Sequence, residues 1–200
     1  LTGSSLSTWA TPFRLCSKPT SGEVAVQFDI QTARPLLARA PHILNALLRD
    51  LSDDLATANE GRDSWSPFDV VGHLIQGERN DWIPRVEHLL KYDESIPFPK
   101  FDRFAQFDAS KGKSLNELLD TFAELRTNSL QRLDELQLTP ADLVRTGTHP
   151  AFGRVTLNQL LATWVAHDLD HLQQITRVIG RQFAEAVGPW SEYLRIVRPI

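Results

Sequence analysis

Residues 163–175 read TWVAHDLDHLQQI, and their spacing is that of a helix. Trp164, Val165, Leu172 and Ile175 recur at three- and four-residue intervals, the period of an amphipathic helix. Followed outward, the stripe runs back through Leu161, Leu160 and Leu157 and on to Val178 and Ile179, stopping at Gly180 or a few residues later. Thr156 and Gln159 form the capping box that opens it. Inside this apolar column stand His167 and His171, four apart and so on one helix face. Leucine would pack better at either position, so the pair calls for a chemical reason.

Three more segments share the period. Leu36, Leu37, Ala40, Ile43, Leu44, Leu47, Leu48 and Leu51 predict a first helix over 32–51, with Pro35 near its start and a kink or later start at Pro41. Ser66 as N-cap, Pro67 at the first helical position and Asp69 three after Ser66 open a second. Val70, Val71, Leu74, Ile75, Trp82, Val86, Leu89 and Leu90 carry it to about Lys91, with a bend at Pro84. Ser114 and Glu117 cap a third, marked by Leu115, Leu118, Leu119, Phe122, Leu125, Leu133 and Leu136. Residues 143–157 fit a small hairpin or an extended loop around Pro150 and Gly153. The C-terminal tail is expected to pack back through Trp190, Tyr193 and Ile196. Residues 1–28, rich in Ser, Thr, Gly and Pro, read as a loosely ordered N-terminal extension ahead of a bundle domain over 29–200.

Four amphipathic segments with almost no strand make the chain all-α. The connection 92–113 has two prolines and no clean period, and its length suits either a crossover of the domain or a lid. A short loop would force the helices it joins to be antiparallel, whereas a long one lets them run parallel. The expected architecture is a four-helix bundle with one long crossover between helices two and three.

A formal net charge of −4 over 200 residues gives no electrostatic reason to expect nucleic acid or an anionic membrane surface as partner. Cys16 is the sole cysteine, which excludes an internal disulfide and a cysteine-rich zinc site and fits a cytoplasmic location. No apolar run approaches the roughly 18–20 residues of a membrane span. The N-terminal segment lacks the apolar run of a signal peptide. A two-fold homodimer is the default assembly for such a chain, with no sequence feature marking its interface.

A single buried histidine is usually a core residue whose nitrogens are hydrogen-bonded. Two stacked on a core face bring four polar nitrogens into apolar surroundings, at a cost of about 1–3 kcal/mol for each group left unpaired. His73 adds a third imidazole, on a second helix that should face the fourth. Gly77, one turn on, removes a side chain beside it as if space were needed. Three neutral imidazoles on facing helices suit Zn²⁺, Ni²⁺ or a similar divalent metal, with positions left for water or substrate. Spacing alone leaves this reading level with that of core histidines. His42, His88 and His149 are expected to be solvated or capping residues.

WSPFDVVGHLIQGERNDW at 65–82, AHDLDHLQQI at 166–175 and AVGPWSEYL at 186–194 together resemble the DinB-like (DNA-damage-inducible) superfamily, over roughly residues 30–197. That resemblance implies a four-helix bundle of up-down-down-up order. It also implies a divalent metal held by His73, His167 and His171. Related branches include transferases that use low-molecular-weight thiols and a thiol-dependent isomerase. No DNA-binding role follows from the superfamily's name.

Two readings of function follow. In the first the metal lowers the pKa of a bound thiol or water and delivers it to a small electrophilic substrate. Glu78 is then a candidate acid–base group, and Asp168 and Asp170 are candidates to accept the outer N–H of a ligand histidine. For all three a solvated helix face is the more expected setting. Asn80, Gln174 and Arg177 are near enough in projection to line a pocket. In the second reading the same ligands stabilise a binding or stress-response module without turnover. A mobile crossover over a cavity favours catalysis, and a tightly packed one favours the second reading. A metal-free bundle acting through a protein partner is less favoured, because no large exposed apolar stripe is expected once the core forms.

Overall fold

Four ion pairs and two aromatic contacts fix how the helices run. The computed structural model describes residues 28–61 and 64–198, so the expectation for residues 1–27 lies outside the described residues. Its elements are α1 (Ile30–Leu48), α2 (Asp53–Ala56), α3 (Pro67–Asn80), α4 (Trp82–Tyr92), α5 (Ala105–Ser110), α6 (Leu115–Glu135), α7 (Pro140–Leu143), β1 (Thr146–His149), β2 (Gly153–Thr156) and α8 (Leu157–Arg181). Two short 3₁₀ turns follow, Gly188–Glu192 and Arg195–Val197. Arg34 pairs with Asp134 and Arg49 with Asp120, so α1 and α6 are antiparallel. Glu78 pairs with Arg126 and Glu87 with Arg132, so α3–α4 and α6 run parallel. Trp82 stacks on Trp164 while His73 meets His171, so α8 runs against α3–α4. The order is up-down-down-up, and the long crossover is what permits the parallel pair. No described helix is long and apolar enough to cross a membrane.

Local chemistry sets the helix starts. Ser66, Ser114, Thr139 and Thr156 each cap their helix in a complete capping box, with Asp69, Glu117, Asp142 and Gln159 returning the bond. Each such cap contributes about 1 kcal/mol. Buried apolar side chains form two clusters, one around Trp82, Val86, Leu89, Leu157 and Trp164, the other around Leu44, Leu48, Val70, Leu74, Phe122 and Ile175.

Of the interruptions expected from proline, those in the first helix are absent and the one in the second is displaced. α1 runs unbroken through Pro35 and Pro41. Pro41 has no amide to offer the carbonyl of Leu37, and the Arg126 guanidinium donates to that carbonyl instead, at 2.8 Å. The second helix does not bend at Pro84 but breaks at Asp81 into α3 and α4. Pro84 cannot bond the carbonyl of Asn80 and its ring crowds that carbonyl, so the disruption falls three or four residues upstream.

Residues 143–157 resolve as the hairpin alternative, β1 and β2 pairing antiparallel with Thr146 opposite Thr156. The crossover is tied to it, because the Phe98 amide donates to the carbonyl of Thr148 at 2.9 Å and the Phe98 ring is buried. The crossover then lays α5 on α3, with Gln106 and Ser110 buried. Contact is closest at Gly72, where an added Cβ would sit 2.6 Å from Ser110 Oγ and 3.8 Å from the Gln106 Cβ. Replacing Gly72 with valine should therefore lift α5 and cost about 1–3 kcal/mol. Urea denaturation of the variant measures it, and an unchanged midpoint would show that α5 is not seated on α3.

The tail is placed differently from expectation. Trp190 and Tyr193 are exposed, and Val197 is the residue it buries, with Ile196 half-exposed against Gly180. Their aromatic rings sit on a 3₁₀ turn that never reaches the core. Apolar exposure along the bundle is also greater than the periodicity implies. Leu36, Ile43 and Leu47 on α1 and Leu169 on α8 all face outward.

Candidate metal centre

His73 lies two turns into α3, on the face that buries Val70 and Leu74, and α8 brings His167 and His171 to the same level. All three rings turn their Nε2 atoms to one point. His167 Nε2 lies 3.1 Å from His73 Nε2 and 3.1 Å from His171 Nε2. One ligand atom from each residue lies within 4.8 Å of the other two. A zinc–imidazole bond of about 2.0–2.1 Å implies tetrahedral nitrogen separations of roughly 3.3 Å, close to what is seen.

Proton bookkeeping favours a cation at this point. The Nδ1–H of His171 donates to the carbonyl oxygen of Gln174 at 2.8 Å, which leaves its Nε2 a bare lone pair. Burial holds His73 down to about 3, helped by repulsion from His171. It holds His167 down to about 2, with further repulsion from His171, His73 and Arg126. His171 is lowered too, chiefly by burial, against the pull of Gln174 and Asp170. The rings are thus neutral at physiological pH, the form in which imidazole ligates metal. The Nδ1 atoms of His73 and His167 have no hydrogen-bond partner among the described residues. Three neutral imidazoles crowded through their Nε2 atoms, the one on His171 a bare lone pair, fit a divalent ion.

Aromatic rings wall this point. Trp65 lies 4.8 Å from the His73 ring and stacks 6.4 Å from His171. Phe101 from the crossover meets His73 edge-on, and Trp82 meets His167 the same way. The Trp82 indole fills the space that Gly77 leaves, 3.0 Å from where a Cβ would stand. A surface groove of about 420 Å³ lies elsewhere, between α1 and α6, lined by Arg34, His42, Asn45 and Gln131.

The family is settled by a family-model match for the DinB superfamily over residues 36–175. The chain belongs to the DinB superfamily. A solved structure with the same fold is YfiT from Bacillus subtilis, described as a "probable metal-dependent hydrolase with an unusual four-helix bundle topology". Identity to it is 23%, the match covers 81% of this chain and 95% of that one, and the TM-score is 0.67. No curated protein matches the chain.

Around the triad of this DinB bundle, the remaining candidates divide. Glu78 and Asp168 are not on a solvated face, and Asp168 accepts from Arg126 rather than from a triad histidine. Both are buried against Arg126 of α6. Glu78 Oε1 accepts from Arg126 Nε at 3.0 Å and Nη2 at 2.7 Å, and from Trp164 Nε1 at 3.2 Å. Asp168 accepts from Nη1 at 2.6 Å and Nη2 at 3.1 Å. Burial pushes the Asp168 carboxyl up against the pull of Arg126. Burial alone would lower Arg126, but the two carboxylates outweigh it and raise the guanidinium. Asn80 and Asp170 are exposed, Asp170 being near enough to act on the His171 ring through its charge. Arg177 pairs with Glu60 and clamps the loop before α3. Gln174 is the candidate that touches a triad ring. His42 is exposed, His88 bonds the Ile96 carbonyl, and His149 Nδ1 accepts the amides of Ala151 and Phe152.

Sequence reasoning did not single out Arg126 or Gln106. Arg126 had a signal, a break in the α6 stripe between Leu125 and Leu130 where Arg126 and Ser129 hold core positions. Gln106 had none, since α5 is too short to show a period.

Proposed function

We propose that this DinB protein is a metal-dependent enzyme, with His73, His167 and His171 holding a divalent ion, zinc or nickel, and a small electrophilic molecule as substrate. The approach of His167 Nε2 to 3.1 Å from the Nε2 of both His73 and His171, with ligand atoms of all three within 4.8 Å, carries the reading. Membership of the superfamily and the hydrolase description of YfiT support it. A bound divalent ion supplies Lewis acidity, which makes a water or a low-molecular-weight thiol nucleophilic near neutral pH. The chain's own part is orientation and exclusion of water. Gln174 holds His171 with its Nε2 inward, and Trp65, Phe101 and Trp82 keep the rings dry. Hydrolysis and thiol transfer both fit, and the thiol route is the finer proposal.

A second reading, a metal-stabilised binding module without turnover, draws on the packed crossover. Phe101 sits against His73 and Trp65 lies over two of the rings, which narrows any approach. Elemental analysis of tag-free protein beside His171→Ala tests the site. About one metal equivalent per chain is expected, lost in the variant. Protein that carries no metal and takes up neither zinc nor nickel sinks both readings. Turnover of small esters, amides and thiol-reactive electrophiles, abolished by a chelator, then separates enzyme from module.

A further inference from the structure

Gln106 stands out among the buried groups because nothing so far explains it. It is 1% exposed, yet among the described residues neither its amide oxygen nor its amide nitrogen has a hydrogen-bond partner. Burying an amide in that state is costly, and native structures seldom do so without a reason. The Nδ1 of His73 is buried and unpartnered as well. These orphans are neighbours. α5 meets α3 at Gly72, the residue before His73, with the Gln106 Cβ 3.8 Å from the Gly72 Cβ position. The Gln106 side chain reaches toward the His73 ring without forming a hydrogen bond to it. The same centre displays the finished version, since the Gln174 carbonyl takes the Nδ1–H of His171 at 2.8 Å.

We propose that Gln106 is a positioning residue for His73, its amide carbonyl accepting the His73 Nδ1–H after a small side-chain rotation. That bond fixes the tautomer with a bare Nε2, aimed at the point where His167 and His171 aim theirs. It also makes the crossover a structural part of the centre, because α5 then holds a ligand ring as well as packing on α3. Outer hydrogen bonds of this kind set ring orientation and basicity in metal sites.

The consequence for metal affinity rests on the metal reading above, whereas the tautomer does not. Long-range ¹H–¹⁵N spectra of the metal-free protein report which nitrogen of His73 bears the proton. Wild type is expected to show the Nδ1–H form, and Gln106→Leu or the similarly shaped Gln106→Met to show a mixture or the Nε2–H form. An Nε2–H tautomer in wild type overturns the proposal, as does an unchanged tautomer in a folded variant. Zinc titration of the same proteins should show affinity lower by about 10- to 100-fold in the variants, and no loss would count against the positioning role. Should wild type bind neither zinc nor nickel, the metal reading falls and the tautomer alone decides what Gln106 does.

Discussion

Replacing Arg126 with methionine is expected to destabilise the protein by about 3–5 kcal/mol, enough to bring a protein of ordinary stability close to unfolding. The guanidinium is 1% exposed and spends its donors on three acceptors, Glu78, Asp168 and the Leu37 carbonyl. Its flat faces lie over the Phe122 and Trp164 rings, 4.9 and 5.1 Å from their centres. Methionine fills much of the volume but leaves two carboxylates in a dry interior with no counter-charge, and the carbonyl freed by Pro41 with no donor. Lysine should rescue little, because one ammonium cannot span two carboxylates and a carbonyl in fork geometry. The penalty arises from the carboxylates left behind, and a second variant isolates it. Combining Arg126→Met with Glu78→Leu and Asp168→Leu should recover most of the loss, since a fully apolar replacement of a buried ion cluster is often neutral or stabilising. Urea midpoints for the single and triple variants decide it. A single variant within about 1 kcal/mol of wild type would mean that the cluster is far better solvated than its burial implies.

This cluster also explains where sequence reading succeeded and where it stopped. Helix identity came from apolar period and caps, and Ser66, Ser114 and Thr156 mark starts that the backbone honours. The proline effects could not be placed, because they depend on what the rest of the fold offers. Pro41 is tolerated through a donor 85 residues away in the sequence, on a helix whose facing is a tertiary property. Glu78 and Asp168 were legible as positions: Glu78 follows Leu74 by four on the buried face of α3, and Asp168 adjoins His167. Their environment was not legible, since charge at a core position predicts burial only when a counter-charge is known to arrive. Arg126 is that counter-charge, and it comes from a different helix. The triad was readable because two of its members lie one turn apart on one face, whereas Gln106 reaches His73 from a crossover whose path no periodicity encodes.

Acid should unfold the metal-free protein over a range set by the same histidines. Their folded values lie below the ordinary 6.5, at about 3 for His73 and about 2 for His167, with His171 lowered as well. The unfolded chain therefore takes up protons below pH 6.5 that the folded chain refuses. More protons bound to the unfolded state means that stability rises with pH and is lost as pH falls through this window. Each ring adds a slope of roughly 1 kcal/mol per pH unit between the unfolded and folded values. Asp168 works in the opposite sense, since its raised carboxyl binds a proton more readily in the folded state. Thermal melts between pH 7 and pH 4 should show a steep fall, and His73→Phe combined with His167→Leu should flatten it even if the variant is less stable at pH 7. Zinc should shift the acid transition to lower pH by binding only the folded state, in competition with the protons for the same Nε2 atoms. A flat profile in wild type would require the rings to be solvated or already charged. Such rings could not be the dry, neutral set whose lone pairs converge, so one measurement bears on both the burial of the triad and its fitness to hold a cation.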